Sequence, residues 1–239
     1  MSSVLRLGDK TQVQTIEEAM KKIAIVGSSG HAKVIVDIVQ QQGECRIVGL
    51  LDRNRKAGEA ALGFSVLGSE ENLPKLKEEH GFDGVIVAIG DNHVRGQVVK
   101  LVREKCPDIQ FPSAIHPRAC VAPDVALGEG SVIMPGVCVN PGSCVGNFCI
   151  INTNASLDHD SVLGDFASLA PGVVTGGDVR IGQFSVVGIG AVLNHAIELG
   201  EQTVIGAGAV VTGSLPARVV AYGVPAKVVR SREPGDRYL

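Results

Sequence analysis

The chain has 239 residues, of which 45% are hydrophobic, 3% are aromatic and 20% are charged. This length accommodates one large domain or two modest ones, each with a buried core. The formal net charge of −3 gives no electrostatic reason to expect a nucleic acid or an acidic membrane as partner. No apolar run reaches the length of a membrane span, and the polar start lacks a signal-peptide core. We therefore expect a cytoplasmic protein.

The first twenty residues carry no strong pattern. The segment that begins at Thr15 is able to start a helix, because threonine is a favoured N-cap. A tail without fixed structure accounts for the same residues equally well, so we treat 1–20 as an N-terminal extension.

The next ninety or so residues alternate short apolar strands with helical patterns. An apolar strand runs from Lys22 into the turn Gly-Ser-Ser-Gly-His-Ala-Lys, which begins at Gly27. A second strand ends at Asp52 and a third ends at Gly90. Strands that alternate with helices predict a small parallel sheet. Open α/β sheets bind ligands at the edge where such strand ends meet.

The turn after the first strand has two interpretations. It is not the dinucleotide fingerprint, because Ser29 and Ala32 stand where GxGxxG requires glycine. A glycine turn at a helix N-terminus still presents free N–H groups to a phosphate, and Asp52 is able to accept a hydrogen bond from a ribose or a base. The alternative is a tight strand-to-helix turn that binds nothing.

The stretch from Ile115 to Val211 repeats every six residues. An aliphatic residue stands at each of its seventeen register positions except one, which is Thr175. A period of six fits neither an α-helix nor an alternating strand, and it predicts a parallel β-helix built from hexapeptides. We expect the aliphatic side chains to point inward and to stack on their equivalents one coil away.

One corner of the predicted coils carries a candidate catalytic group. Leu157 holds an inward position, so His159 falls outward at the corner, between Asp158 and Asp160. A neighbouring carboxylate raises the basicity of an imidazole and holds one tautomer, as a general base near neutral pH requires. A lone histidine is more often structural, so the residues alone leave both interpretations open.

Six segments, taken in chain order, resemble one family. They are Gly27 to Lys33, Asp52-Arg53, Val87 to Asn92, Asn152-Thr153, Asp158 to Asp160 and Gly223 to Lys227. Over residues 22 to 230 the chain resembles the bacterial sugar acyltransferases with hexapeptide repeats, a family that includes the bacillosamine-pathway and perosamine N-acetyltransferases and the sialic acid O-acetyltransferase. This resemblance implies an α/β Rossmann-like domain at 21–111 and a left-handed parallel β-helix at 112–230 with eighteen residues per coil. Residues 231–239, which lie beyond the resemblance, are expected to form a frayed C-terminal tail.

The resemblance also implies a function. A homotrimer would transfer an acetyl group from acetyl-CoA to the amino group of a UDP- or GDP-linked amino sugar, in glycan biosynthesis. His159 would be the general base, supported by Asp160. The implied nucleotide-sugar contacts are Ser29, Gly30, His31, Asp52, Arg53 and Gly90. The implied acetyl-CoA contacts are Asn152, Ser168, Gly177, Ile189 and Ala207. Ser168 stands where many relatives have a histidine, and the Gly177 N–H would stabilise the oxyanion.

Two alternatives to this function remain at the level of sequence. The same residues would serve O-acetylation of a sugar hydroxyl, as in the sialic acid enzyme. A hexapeptide solenoid without catalysis would serve only as a scaffold for assembly. We expect no metal site, because His195 lies two coils beyond His159, roughly 10 Å away by strand spacing. Cys120 and Cys138, eighteen residues apart, are expected to stack as small apolar side chains.

Overall fold

The computed structural model describes residues 20–236, so the helix start considered at Thr15 lies outside the described residues. An α/β unit is followed directly by a left-handed parallel β-helix, and the predicted fold class is confirmed. No helix within the described range is long and apolar enough to cross a lipid bilayer.

The α/β unit contains a five-stranded sheet with helices packed against it. Its strands are β1 (Lys21–Val26), β2 (Cys45–Leu51), β3 (Ala60–Ala61), β4 (Phe64–Gly68) and β5 (Gly84–Val87). Its helices are α1 (Gly30–Gln42), α2 (Leu73–His80) and α3 (Asn92–Lys105), with a 3₁₀ turn at Glu70–Asn72. The strand order is β3-β4-β2-β1-β5, with β3 antiparallel to β4 and the other pairs parallel. The prediction of a small parallel sheet is therefore correct except for β3.

The sequence of β1 explains its central place in this sheet. Its residues from Ile23 to Val26 are each at most 1% exposed, as expected for a parallel strand covered on both faces. Gly27 ends the strand with φ +107°, and a Cβ there would lie 2.9 Å from the carbonyl oxygen of Ala88. Only glycine suits both the backbone angle and the close approach, so the turn into α1 depends on it.

Residues 114–211 form the β-helix from two-residue strands arranged as three faces. The junction face comprises β6 (Ala114–Ile115), β9 (Val132–Ile133), β12 (Ile150–Ile151), β15 (Ser168–Leu169), β18 (Val186–Val187) and β21 (Val204–Ile205). The apolar face comprises β7 (Cys120–Val121), β10 (Cys138–Val139), β13 (Ser156–Leu157), β16 (Val174–Thr175), β19 (Val192–Leu193) and β22 (Val210–Val211). The polar face comprises β8 (Ala126–Leu127), β11 (Cys144–Val145), β14 (Val162–Leu163), β17 (Arg180–Ile181) and β20 (Glu198–Leu199).

Except at the last coil, each of these strands pairs in parallel with the strand eighteen residues later. Ile133, Ile151 and Leu169, for example, stack in one column along the junction face. The inward residues from Ile133 to Val211 are each at most 4% exposed, which confirms the predicted inward register. Cys120 and Cys138 are paired across neighbouring coils, as the spacing predicts.

The three faces differ in what covers them. On the junction face, the outward residues from Val132 to Val204 are at most 8% exposed. On the apolar face, Val174 and Val192 are 47% and 38% exposed. The polar face carries exposed charged residues, among them Arg180 and Glu198. A broad apolar surface on the β-helix is thus left open in a single chain.

A stack of aromatic rings joins the two units. Phe148, Phe166 and Phe184 occupy one corner of three successive coils, each with φ between 55° and 59°. Their ring centroids are 5.1 Å and 4.8 Å apart, and Phe111 meets the first ring edge-on. Gly96 of α3 packs against Phe184, and a Cβ there would lie 2.9 Å from its ring. The missing side chain therefore lets α3 approach the aromatic corner.

A buried arginine completes this junction. Arg95 of α3 is 1% exposed and donates to the carbonyl oxygens of Phe148 (2.9 Å) and Phe166 (3.0 Å) in the β-helix. The same guanidinium donates to the carbonyl oxygens of Ile89 and Gly90, at 2.9 Å each. Main-chain carbonyls of both units thus share one buried cation, which ties the edge of the α/β sheet to the coils.

The chain ends in a hairpin that closes the solenoid. The strands β23 (Val219–Gly223) and β24 (Ala226–Ser231) pair in antiparallel register, and β23 extends the junction face beside β21. Within the predicted tail, Arg232 is 6% exposed. Its guanidinium donates to the carbonyl oxygens of Gln202 (3.2 Å) and Asp236 (2.7 Å). These contacts could not be predicted from the sequence, because main-chain carbonyls leave no pattern in it.

Candidate active site

His159 stands at a corner of the β-helix, where the apolar face meets the polar face. We call this the His159 corner; it comprises residues 158–160, 176–178 and 194–196. The imidazole is 59% exposed. Its Nδ1 atom lies 2.8 Å from the carboxylate of Asp160. A carboxylate only accepts hydrogen bonds, so Nδ1 carries the proton and Nε2 presents its lone pair outward. This is the tautomer that a general base requires.

The charge around the imidazole favours its protonated form. The hydrogen bond that His159 donates to Asp160 raises the pKa of the imidazole, and the nearby charge of Asp158 adds to the increase. Asp158 is itself readily ionised, because the amide of Asn140 donates to its carboxylate at 2.5 Å and lowers the pKa of that group. The base is therefore stronger than a free imidazole.

The glycine beneath the imidazole allows its position. A Cβ at Gly177 would lie 2.5 Å from Cε1 and Nε2 of His159, so a larger residue would displace the ring. Gly177 belongs to the next coil along the chain, where the Asp178 N–H donates to the His159 carbonyl at 2.9 Å. The main chain of Gly177 thus passes close to the basic nitrogen of His159.

The edge of the α/β sheet holds a cavity of about 500 Å³. It opens at the carboxyl ends of β1, β2 and β5, which is where the sequence predicts a ligand site. Of the six predicted nucleotide-sugar residues, Ser29, Asp52, Arg53 and Gly90 line it. Part of its wall comes from the apolar side chains of α3, among them Val94, Val98 and Leu101.

Polar side chains in this cavity are held by one another. The hydroxyl of Ser28 donates to Asp52 at 2.5 Å and accepts from Arg55 at 2.9 Å. Arg53 pairs at 2.5 Å with Glu70, which is 3% exposed, while 47% of the arginine side chain remains exposed. A buried carboxylate thus fixes one end of a cation that faces the cavity.

The other two predicted contacts lie beside the cavity. Gly30 and His31 form the first turn of α1 and do not belong to its lining. The Nε2 atom of His31 is buried and has no hydrogen-bond partner within residues 20–236. Burial, with a smaller effect from Arg95, lowers the pKa of His31 to about 4, so the ring is neutral near pH 7.

The predicted acetyl-CoA residues fall in three places. Gly177 lies at the His159 corner. Asn152, Ile189 and Ala207 lie at a second corner, between the junction and apolar faces, and Ile189 is 61% exposed. Ser168 lies on the junction face and is 8% exposed. Its hydroxyl donates to Asn92 at 2.6 Å and accepts from Arg95 at 3.3 Å, so it serves the contact between the two units. Because its hydroxyl is engaged there, Ser168 is not among the acetyl-CoA contacts that we propose.

Several residues that shape the site were not predicted from the sequence. Ser28, Arg55 and Glu70 are scattered in sequence, and nothing in their spacing marks them. Arg95 donates mainly to main-chain carbonyls, which leave no sequence pattern. The aromatic stack did leave one, since its three phenylalanines are spaced by eighteen residues. Within residues 20–236 no group of three or more side chains could hold a metal ion.

Comparison with known proteins identifies the class of the molecule. Residues 22–102 match the family model described as the PglD N-terminal domain. A GDP-perosamine N-acetyl transferase from Caulobacter crescentus, solved as a histidine-to-alanine mutant in complex with CoA and GDP-perosamine, is 38% identical. Its TM-score is 0.83, with 89% of this chain and 99% of that chain covered. The fold is that of a hexapeptide-repeat acyltransferase.

Two further relatives agree with this class. The acetyltransferase domain of PglB from Neisseria gonorrhoeae FA1090, in complex with acetyl coenzyme A, is 33% identical with a TM-score of 0.79, over 88% of this chain and 100% of that chain. The UDP-N-acetylbacillosamine N-acetyltransferase of Bacillus subtilis (strain 168) is 33% identical over 114 residues, 48% of this chain and 51% of that protein. The chain thus matches about half the length of this curated relative. The chain belongs to the bacterial family of acetyl-CoA-dependent sugar N-acetyltransferases with hexapeptide repeats, as predicted.

Replacement of Asp160 by asparagine tests the electrostatics of the base. Asparagine accepts from Nδ1 only through a neutral oxygen, so it weakens the hydrogen bond that raises the pKa of His159 and also removes the smaller effect of the Asp160 charge. A base must be neutral, so its activity falls as the pH drops through its pKa. Asp160→Asn should therefore shift the acid limb of the kcat/KM profile to lower pH.

The matched control for this profile is Asp178→Asn, because Asp178 has the smallest effect among the groups that raise the pKa of His159. Its acid limb should move less than that of Asp160→Asn. Both profiles are compared with wild type on one substrate, which cancels the titration of the substrate amine. An unchanged limb in Asp160→Asn would show that this carboxylate does not set the basicity of His159.

Proposed function

We propose that the protein transfers the acetyl group of acetyl-CoA to the amino group of a nucleoside-diphosphate-linked amino sugar. The observation that carries this proposal is the imidazole of His159, held by Asp160 with Nε2 outward above Gly177. A relative of 38% identity was solved with CoA and GDP-perosamine, which supports this pair of substrates. The acceptor of this chain is a UDP- or GDP-linked sugar of the same type.

The cavity of the α/β unit is proposed to hold the nucleotide part of the acceptor. The N-terminus of α1 and the free side of Arg53 favour a pyrophosphate, since both present positive potential. Asp52 would accept from a ribose or base, and the apolar wall of α3 would cover a ring.

The proposed chemistry needs one base and one oxyanion donor. The sugar nitrogen attacks the thioester carbonyl carbon, a C–N bond forms and the C–S bond breaks. His159 Nε2 takes the proton from the nitrogen and returns it to the leaving thiolate. The Gly177 N–H would donate to the carbonyl oxygen as negative charge develops there. Holding both substrates in one cleft supplies much of the remaining rate.

We further propose that the working form is a homotrimer. The predicted acetyl-CoA residues Ile189 and Ala207 and the base His159 lie at different corners of the chain, on either side of the apolar face. A second copy packed on that face would bring its Asn152 corner to the His159 corner of the first, which would complete the site. Closed cyclic symmetry is the usual way to bury such a face.

The domain limits and the compartment complete the proposal. We assign the acceptor-binding domain to residues 21–111 and the acetyl-CoA-binding β-helix to residues 112–230. The cavity draws its lining from residues 26–101 alone, which supports this division. The six cysteines are all free thiols, in keeping with a cytoplasmic location.

The direct test of function is release of free CoA thiol in the presence of UDP-, GDP-, dTDP- and CMP-linked amino sugars. Thiol should appear with at least one of them, and with none of the matching sugars that carry hydroxyl in place of the amine. His159→Ala should lower kcat by about 10²–10⁴-fold. The control His80→Ala changes an exposed histidine of α2, outside the cavity and the His159 corner, and should retain most of the activity. Retention of a third or more of kcat in His159→Ala would contradict the assigned base.

Asp52→Ala tests the acceptor cavity. Loss of a hydrogen bond to a charged group weakens binding by about 1.5–3 kcal/mol, so KM for the sugar nucleotide should rise at least tenfold. The KM for acetyl-CoA should stay nearly constant, because that ligand is assigned to the β-helix. Asp37→Ala is the control, since Asp37 is an exposed carboxylate of α1 outside the cavity. Equal changes in both KM values would refute the assignment.

Light scattering tests the trimer. The wild type should have three times the chain mass of 24.8 kDa. Val192→Glu places a charge on the apolar face and should give monomers without activity, because burying unpaired charges is costly. Val162→Glu makes the same change on the polar face and should leave a trimer. A wild-type monomer at micromolar concentration would disprove the assembly.

A further inference from the structure

Thr175 alters the hydrogen-bond ladder of the β-helix next to the catalytic corner. In regular coils, the N–H after an inward residue donates to the carbonyl of the inward residue one coil later. Asn140 donates to the Leu157 carbonyl at 3.0 Å in this way. Asp158 instead donates to the side-chain Oγ1 of Thr175, also at 3.0 Å. The pairing of β13 with β16 accordingly retains only Ser156 with Val174.

Packing alone does not account for a threonine at this position. The side chain is 4% exposed, in an inward series whose other members are aliphatic. Valine has nearly the same shape and would not bury a hydroxyl, which costs free energy unless it is hydrogen-bonded. The hydroxyl therefore has a use other than core packing, and its oxygen accepts from the residue immediately before His159.

The contacts of Asp158 show what this hydroxyl contributes. Its carbonyl accepts from the Ser143 hydroxyl at 2.9 Å, and its carboxylate accepts from Asn140 and from the His159 N–H at 2.8 Å. Thr175 holds the remaining main-chain group, the N–H. Each polar group of Asp158 is thus bonded, and the main chain that enters the His159 corner is held from the coils on both sides.

Thr175 also belongs to the coil that carries the oxyanion donor. It lies two residues before Gly177, whose main chain passes beneath the imidazole. One residue therefore touches the turn that carries the base and leads directly into the turn that carries the N–H donor. A change in the ladder at Thr175 would alter the distance between these two groups.

We propose that Thr175 is a positioning residue: its hydroxyl, by accepting the Asp158 N–H, sets the separation of the His159 imidazole from the Gly177 N–H. The inference rests on the proposed acetyl transfer and deepens it. Misplacement of reacting groups by about 1 Å can cost about 10²-fold in rate. Regular main-chain pairing at this point would give a sound β-helix with a poorer active site.

Thr175→Val and Thr175→Ser separate this role from a structural one. Valine keeps the shape and removes the acceptor, so the Asp158 N–H should return to the main-chain carbonyl. We expect a melting temperature equal to or above that of the wild type, both KM values within about twofold, and kcat lower by about tenfold or more. Serine keeps the oxygen and loses a methyl group, so it should melt lower yet retain at least half of kcat.

A positioning role predicts that Thr175→Val keeps or gains thermal stability while its kcat falls. A merely structural role predicts that stability and kcat fall together. Thr203→Val is the matched control, since Thr203 is fully buried and its hydroxyl donates to the Pro216 carbonyl, away from the His159 corner. Its kcat should remain near that of the wild type. A third or more of wild-type kcat in Thr175→Val would overturn the inference.

Two further outcomes are decisive. If Thr175→Val does not fold, Thr175→Ser is compared with Thr175→Ala, and less than a twofold difference in kcat would overturn the inference. If the wild type acetylates none of the nucleotide amino sugars, the proposed function fails and the role of Thr175 fails with it. An active wild type with unaffected variants removes only the role of Thr175.

Discussion

A main-chain ladder with a repeat of eighteen residues determines where the functional groups of this protein lie. Each inward side chain stacks on its equivalent one coil away, so every corner position becomes a column that runs along the solenoid. His159 and Gly177 are neighbours because eighteen residues separate them, and the three stacked phenylalanines are neighbours for the same reason. The coils have tight corners rather than long loops. Chemistry placed on such a frame is held by the whole β-helix, which suits a reaction that depends on alignment.

The second constraint is the buried junction at Arg95. A guanidinium out of water is costly unless its N–H groups are satisfied, and here they bond to carbonyls from both units and to the side chains of Asn92 and Ser168. The Gly90 carbonyl at the cavity edge and the Phe166 carbonyl of a coil thus share one donor group. The acceptor cavity is thereby fixed relative to the coils. The proposed transfer between ligands on two units needs such rigidity.

Periodicity explains most of what the sequence predicted correctly. The inward series, the pairing of Cys120 with Cys138 and the strand ends at Gly27 and Asp52 follow from local sequence patterns. The third strand, β5, ends at Val87 rather than directly before Gly90 as predicted. Ser168, Arg95 and Arg232 do not follow, because their partners are main-chain carbonyls or polar groups far away in sequence. The role of the outward groups, including His159, rests on resemblance as much as on pattern. The sequence showed that Thr175 interrupts the aliphatic series. The hydrogen bond from the Asp158 N–H to its hydroxyl, which only the structure shows, explains why a polar residue stands there.

The central claim is that the acceptor amine reaches His159 while its nucleotide occupies the cavity of the α/β unit. A crystal structure with CoA and a nucleotide amino sugar, identified by thiol release, measures this directly. The account predicts the sugar nitrogen about 2.6–3.2 Å from Nε2 of His159, next to the Gly177 N–H, with the nucleotide beside Asp52 and Arg53. A nucleotide bound elsewhere, or an amine directed away from Nε2 with CoA in place, would contradict the account.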